Sequence, residues 1–419
     1  MAVRDIAVVG SGVAGLTAAY LLQRTAAVTL YEADDRLGGH AHTHDVRLGD
    51  RSIPVDTGFI VHNRRTYPLL CRLFDELGVQ TRPTEMSMSV RCLGCGLEYC
   101  GARGASGLFA RAANAADPRF WALLAQVPRF HARARRLLAD NDGVEPTLGA
   151  FLAAGRFGRH FIDHFVVPLV SAVWSCGPHQ VPDYPARYLF TFLANHGMLT
   201  ISGSPTWRTV VGGSRTYVDL VAKQLATVRT AAPVTAVTRH ADGATITLAS
   251  GASAEHDAVV IATHPDQALR LLTDRTRDER TVLGAFTYSR NRAVLHTDPA
   301  PLPKRLGARG SWNYLLPSCR PGPGGVEVSY DLRRLQGLDT ASEVVATLGE
   351  ADRIAPDRII TAMTYEHPVY TPTALAAQRR LADLNTGRTA FAGAYHGWGF
   401  HEDGCRAGVA AATSLGAPW

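Results

Sequence analysis

Ile6, Ala7, Val8 and Val9 are four apolar positions in succession, the pattern of a short strand covered on both faces. After six residues rich in glycine, 16–22 read as an apolar helix, and Val28 to Tyr31 read as a second strand. From about 66 to 204 helical periodicity takes over, with helices expected over 67–77, 120–138 and 151–174. Strand patterns return at 234–237, 245–248 and 259–263, and 280–375 is a region of strands, aromatics and prolines. The last stretch reads strand (390–392), turn (393–397) and helix (405–415). No repeat or low-complexity linker separates these characters, so they interleave in one body. The expected division is a dinucleotide-binding domain from 1–65, 205–275 and 380–419, with a substrate domain from 66–204 and 276–379.

The first turn carries chemistry. Gly10, Ser11, Gly12, Val13, Ala14 and Gly15 form a GxGxxG between strand and helix, and Glu32 closes the second strand, followed by Ala33. In such a turn Gly10 permits the tight bend, Gly12 lets backbone approach a pyrophosphate, and Gly15 lets helix pack on strand. The free N–H groups at the helix start face the phosphates. A carboxylate at the end of the second strand accepts hydrogen bonds from ribose hydroxyls and repels a 2'-phosphate. The flanking strand, helix and acid make this an adenine-dinucleotide site, not a plain glycine turn.

The chain has 419 residues, 46% apolar and 19% charged, which suits a large soluble core. No apolar run reaches the roughly 20 residues that span a bilayer, and no export signal is readable, so a cytoplasmic protein is expected. The net charge of +6 is almost wholly arginine, since only Lys223 and Lys304 are lysines. Scattered arginine without clustered aromatics argues against nucleic acid. Arginines 129, 133, 135 and 136 lie opposite an apolar face in 120–138, a pattern that suits a core-packed helix with a solvated face and would also suit peripheral contact with an anionic membrane. Cys92, Cys95 and Cys100 begin like a zinc motif but offer three ligands without an evident fourth; the alternating run around them reads as a hairpin turning at Gly94 and Gly96, so no metal is expected. His40, His42 and His44 share one face of an extended segment and are expected beside the cofactor or on a wet face.

The order of GxGxxG and Glu32, then Arg36, Gly38 and Gly39, then Gly212 and Gly213 before a helix, then Ala262 and Thr263, then Phe391-Ala392-Gly393, Glu402-Asp403-Gly404 and Ala407-Gly408 resembles the flavin amine oxidase, protoporphyrinogen oxidase and phytoene desaturase superfamily. Phrases such as Asn195-His196-Gly197 and Trp312-Asn313-Tyr314 are similar to bacterial "NAD/FAD-binding" flavoproteins associated with cyclopropane-fatty-acid synthases. The resemblance implies an α/β fold in which a Rossmann-type FAD-binding domain is interleaved with a mixed α+β substrate domain. It also implies FAD as cofactor. By position, Gly12 to Ala14 would cradle the pyrophosphate and Glu32 the ribose. Arg36, Gly38, Gly39 and His40 would line the phosphate and ribityl run, with Thr57, Gly58 and Phe59 near the isoalloxazine edge and Val234 at the adenine. Ala262, Gly393, Phe400, Glu402 and Asp403 would complete the cofactor site.

Two departures weaken an amine-oxidase activity. Phe400 stands where that family usually has a tyrosine, and the region aligned with its flavin-side lysine, 290–292, has none. Cys405 and His401 are close enough to leave a covalent flavin tether open. The expected function is hydride removal, by desaturation or oxidation, from a hydrophobic or lipid-like small molecule, with oxygen or a quinone as possible electron acceptor. A redox-neutral isomerase or cyclase and an amine oxidase are the alternatives. Tyr370, His396, Trp398, His401 and Trp312 are the candidates for the catalytic face.

Overall fold

The computed structural model describes residues 5–140, 145–200, 203–320, 322, 325–349 and 352–419. Its first layer is a five-stranded, all-parallel sheet with spatial order Thr227–Arg229, Ala27–Tyr31, Asp5–Val9, Ala258–Ile261 and Thr389–Phe391. The central strand pairs early with its sequence neighbour (Val9 opposite Tyr31) and, on its other side, with a strand some 250 residues later (Val9 opposite Ile261). The two central neighbours, Ile6 to Val9 and Ala258–Ile261, are wholly apolar, as a sheet covered on both faces requires.

The helix Val13–Leu22 is buried along its whole length. One side lies on the sheet; the other is covered by the helix His401–Ser414. That second contact depends on small residues: a Cβ at Gly408 would come within 2.4 Å of the Ala14 carbonyl oxygen, and one at Gly404 within 2.6 Å of Val13. Cys405 is seated in the same seam, its Sγ accepting from Thr17 Oγ1 at 3.6 Å. The thiol is thereby turned between two helices.

The second layer is a seven-stranded mixed sheet, ordered Ile359–Val369, Thr287–His296, Val345–Leu348, Val328–Asp331, Trp312–Leu316, Met88–Cys92 and Glu98–Cys100. All its pairings are antiparallel except Trp312–Leu316 with Met88–Cys92. A helical layer packs beside it around an aromatic core of Phe130, Phe151, Phe161, Phe190 and Trp174. Within this layer the helix Pro118–Ala139 buries Phe120, Leu123 and Phe130. Two of its arginines are tied to neighbours: Arg129 donates to the Gly155 carbonyl (2.5 Å) and Arg135 to the Leu199 carbonyl (2.6 Å).

The single helix expected over 151–174 is instead two. Leu148–Ala154 ends at Gly155, Arg156 adopts φ +49°, and the chain restarts after Gly158, with a π-helical turn Ile162–Val166 before Val167–Trp174. Two glycines, Gly155 and Gly158, break the run. The helix Ala186–Asn195, with no strong signal in the sequence, completes the layer. No helix among the described residues is long and apolar enough to cross a membrane.

Candidate active site

At the dinucleotide end, Gly10 has φ +100° and its N–H donates to the Tyr31 carbonyl at 2.8 Å; a Cβ there would sit 2.7 Å from the Ala262 oxygen. At Gly15 a Cβ would lie 1.9 Å from the Gly10 oxygen, so the turn closes on itself. Gly12 differs: nothing lies within 4 Å of its Cβ position. The helix that follows has no side-chain cap, leaving the first-turn N–H groups of Val13 and Ala14 for an anion. Glu32 accepts from the Ser11 N–H (2.9 Å) and hydroxyl (2.5 Å) through one oxygen and from the Asp34 N–H (3.0 Å) through the other. Its remaining lone pairs stand at the strand end, beside exposed Ala33. Gly38 (φ +104°) donates to both oxygens of Ser11, Arg36 donates to the Gly39 carbonyl at 2.9 Å, and a Cβ at Gly39 would approach Gly12 Cα to 3.3 Å. Val234 begins its strand against the cluster of Val9, Tyr31 and Ile261.

Further along, Gly58 must be glycine because a Cβ would fall 2.1 Å from the His40 carbonyl oxygen, which also accepts from Phe59 N–H at 2.7 Å. Thr57 Oγ1 shares a hydrogen bond with the Tyr365 hydroxyl (2.6 Å) and another with His44 Nε2 (3.0 Å); His42 Nδ1 reaches the same tyrosine at 3.1 Å. His40 stacks obliquely on Tyr365 (5.1 Å) and lies 5.6 Å from His367, while His264 stacks on Tyr288 at 4.0 Å. Burial lowers the pKa of each: His40 well below the ordinary value, His42 to about 3, His367 to about 4. The group is therefore a bed of neutral imidazoles, polar without being cationic. The Nε2 of His40 has no partner, an orphaned buried atom that a polar ligand would satisfy.

The C-terminal turn joins this bed to the aromatic layer. A Cβ at Gly393 would overlap the Tyr395 ring at 2.3 Å. The Gly397 carbonyl accepts from Tyr188 hydroxyl and from Gln378 Nε2, both at 2.8 Å. Phe400 stacks on Phe192 (4.7 Å), Trp398 lies 6.1 Å from Tyr188, and Tyr188 lies 5.1 Å from Tyr370. The Trp398 Nε1, His396 Nε2 and Tyr370 hydroxyl are buried without partners. Burial takes His396 down to about 4.

The other candidates are placed elsewhere or employed otherwise. Trp312 pairs edge-on with Tyr330 (5.2 Å) in the seven-stranded sheet and has no ring contact with Trp398 or Tyr370. His401 stacks on Phe59 at 3.7 Å and shares its Nε2 with the Tyr217 hydroxyl, which makes it a packing residue at the helix start. Both Glu402 oxygens accept backbone N–H groups, from Leu69 (3.1 Å) and Leu70 (3.0 Å). Asp403 accepts from Phe400 N–H and pairs with Arg406 at 2.5 Å; burial raises it to about 6. These two carboxylates hold helices. Tyr365, His367 and His264 were missed. The alternation Tyr365, His367 mirrors that of His40, His42 and His44 and was the one readable signal.

An uncapped helix start, an open Gly12, a strand-end carboxylate and a long bed of unsatisfied polar groups suit an elongated dinucleotide. The model of flavin containing amine oxidoreductases matches residues 13–415. The chain belongs to that family. It is an FAD-dependent oxidoreductase, and the residues above are those that would hold FAD. Among its relatives, this flavoprotein is 28% identical over 288 residues to a coproporphyrinogen III oxidase of Mycobacterium leprae, a match covering 65% of this chain and 62% of that protein. The match thus spans about three fifths of the length of that relative. Solved structures with the same fold include a putrescine oxidase (TM-score 0.69, 16% identity, 98% of each chain). A fatty acid isomerase of P. acnes is also similar (TM-score 0.66, 16% identity, 97% of each chain), as is the cyclohexylamine oxidase of Brevibacterium oxydans (TM-score 0.69, 16% identity, 98% of each chain).

Proposed function

We propose that this flavoenzyme removes hydride from a hydrophobic, lipid-like small molecule at a C–H next to an activating group, forming a double bond. The observation that carries the reading is the half-buried wall of Tyr188, Phe192, Trp398 and Phe400 beside the C-terminal turn, where the nearby carboxylates Glu402 and Asp403 are already committed to helix caps and an ion pair. An ammonium substrate would lack a free counter-charge there, whereas an acyl chain or polyene would bury apolar surface at about 25 cal/mol per Å². Bound FAD supplies a two-electron acceptor. The chain's own residues orient the substrate, exclude water with aromatic surface, and take the proton lost alongside the hydride onto His396 Nε2, whose ring burial keeps neutral and so able to accept it. Oxygen or a quinone then takes the electrons.

Anaerobic mixing with unsaturated acyl lipids or polyenes should bleach the flavin absorbance, and amines should not. Bleaching by amines alone would sink the reading. A redox-neutral isomerase is the second reading, favoured by the presence of one GxGxxG-bearing parallel sheet among the described residues. Product of unchanged mass, formed without oxygen uptake, would identify it.

A further inference from the structure

Cys92, Cys95, Cys319 and His164 bring one ligand atom each into a group whose members all lie within 4.8 Å of one another. Sγ of Cys92 and of Cys319 are 3.8 Å apart, and Cys95 Sγ lies 3.7 Å from His164 Nε2. A tetrahedral zinc with Zn–S of about 2.3 Å and Zn–N of about 2.0 Å has edges of about 3.8 Å between sulfurs and about 3.6 Å between sulfur and nitrogen. The two measured edges already match.

The surroundings are built for this spacing. Cys92 ends the strand Met88–Cys92, its N–H bonded to the Leu97 carbonyl at 2.8 Å and its carbonyl accepting from Gly96 N–H at 2.9 Å, a tight knuckle with Cys95 at its tip. Leu316 lies opposite Cys92 in the parallel pairing, which brings Cys319, three residues on, beside the knuckle. Contact is so close at Gly94 that a Cβ would sit 2.8 Å from the Cys319 nitrogen and 3.0 Å from its sulfur. His164 comes from the π-helical turn Ile162–Val166, where one extra residue per turn re-aims a side chain. Its Nδ1 is engaged by the His160 carbonyl at 3.1 Å, which sets the tautomer and points the Nε2 lone pair at the sulfurs, as metal-bound histidines are held. Tyr99 hydroxyl donates to the His164 carbonyl at 2.8 Å and fixes the turn itself. Cys100, the third cysteine of the sequence motif, is buried in its own strand outside the group.

We infer that Cys92, Cys95, Cys319 and His164 bind one zinc ion in a closed, structural site. Three thiolates and one imidazole suit a borderline-soft tetrahedral ion and leave no open position for catalysis. Binding releases the three thiol protons to solvent and ties the edge hairpin of the seven-stranded sheet, the loop after Trp312–Leu316 and the helical layer together. The sequence alone does not group these four side chains, because two of them lie 69 and 224 residues from Cys95.

The holoprotein, purified under reducing conditions from zinc-supplemented medium, should contain one zinc per flavin by elemental mass spectrometry. Cys95→Ser with Cys319→Ser should lose it, and Cys100→Ser should keep it. Should the double variant fail to fold, cobalt exchange of the wild type still decides: thiolate-to-cobalt bands and visible d–d bands beyond the flavin absorbance are expected. Wild-type protein that carries no zinc and gives no such bands overturns the inference, as does a Cys92–Cys319 disulfide in unreduced peptide maps of freshly purified protein.

Discussion

Glu402 is the position where the physical reading departs most from expectation, and it yields a sharp prediction. The helix Pro68–Leu77 has no side-chain cap from Tyr67, and Pro68 brings no N–H, so Leu69 and Leu70 hold the free donors of its first turn. Both are satisfied by the buried Glu402 carboxylate from the start of the His401–Ser414 helix. Hydrogen bonds to a charged acceptor are worth about 1.5–3 kcal/mol each. Glu402→Ala strands two buried donors and should cost about 3–5 kcal/mol; Glu402→Gln keeps one acceptor and turns an NH2 toward the other N–H, costing about 2–3 kcal/mol. Urea unfolding of the FAD-loaded and flavin-stripped protein checks this. The loss should be equal in both forms, with the flavin spectrum of the loaded variant unchanged. A Glu402→Gln protein that unfolds at the wild-type midpoint but has lost flavin would refute the capping role.

Gly12→Ala should leave the stripped protein as stable as wild type, since nothing meets its Cβ, yet weaken FAD binding at least tenfold by flavin fluorescence titration; Gly15→Ala should instead fail to fold. Tyr188→Phe removes one bond to the Gly397 carbonyl and should lower stability by about 1 kcal/mol in urea melts. Acid should destabilise the fold: burial lowers His62, His196 and His296 to about 4 and His401 to about 3, so their contribution is complete above pH 6.5 and lost as pH falls toward 4. Each costs about 2 kcal/mol at pH 5, while Asp56 and Asp403, raised to about 6 by burial, work in the opposite sense and return only about 1 kcal/mol each. The melting temperature should therefore fall between pH 6.5 and 5; a flat or rising profile contradicts the assignment.

The dinucleotide turn was legible because its constraints are local: glycine positions, a strand and a carboxylate lie within one 28-residue run. The bed of neutral imidazoles was only half legible. His40, His42 and His44 announce themselves by alternation, but their partners Tyr365 and His367 lie on a strand that pairs with Thr287–His296, and nothing in period-two spacing says which face meets which. Side-chain allegiance was least legible. Trp312 and Trp398 carry the same ring, yet sheet register gives one to Tyr330 and a C-terminal turn gives the other to Tyr188. Glu402 stood among the cofactor residues through the position it holds in the family resemblance; only the packing of two helices reveals the N–H groups it accepts from.

The seam between Val13–Leu22 and His401–Ser414 sets an order of events during synthesis. The glycine turn is made well before its partners, but its sheet lacks three of five strands, and its helix lacks a cover, until residues 227–229, 258–261, 389–391 and 401–414 have left the ribosome. Everything in between, including the seven-stranded sheet and helical layer, must be parked without breaking that gap. A nascent chain stopped near residue 380 would hold the full pyrophosphate loop and still be unable to keep a flavin. Cofactor capture in this protein waits until residues 389–414 have been made.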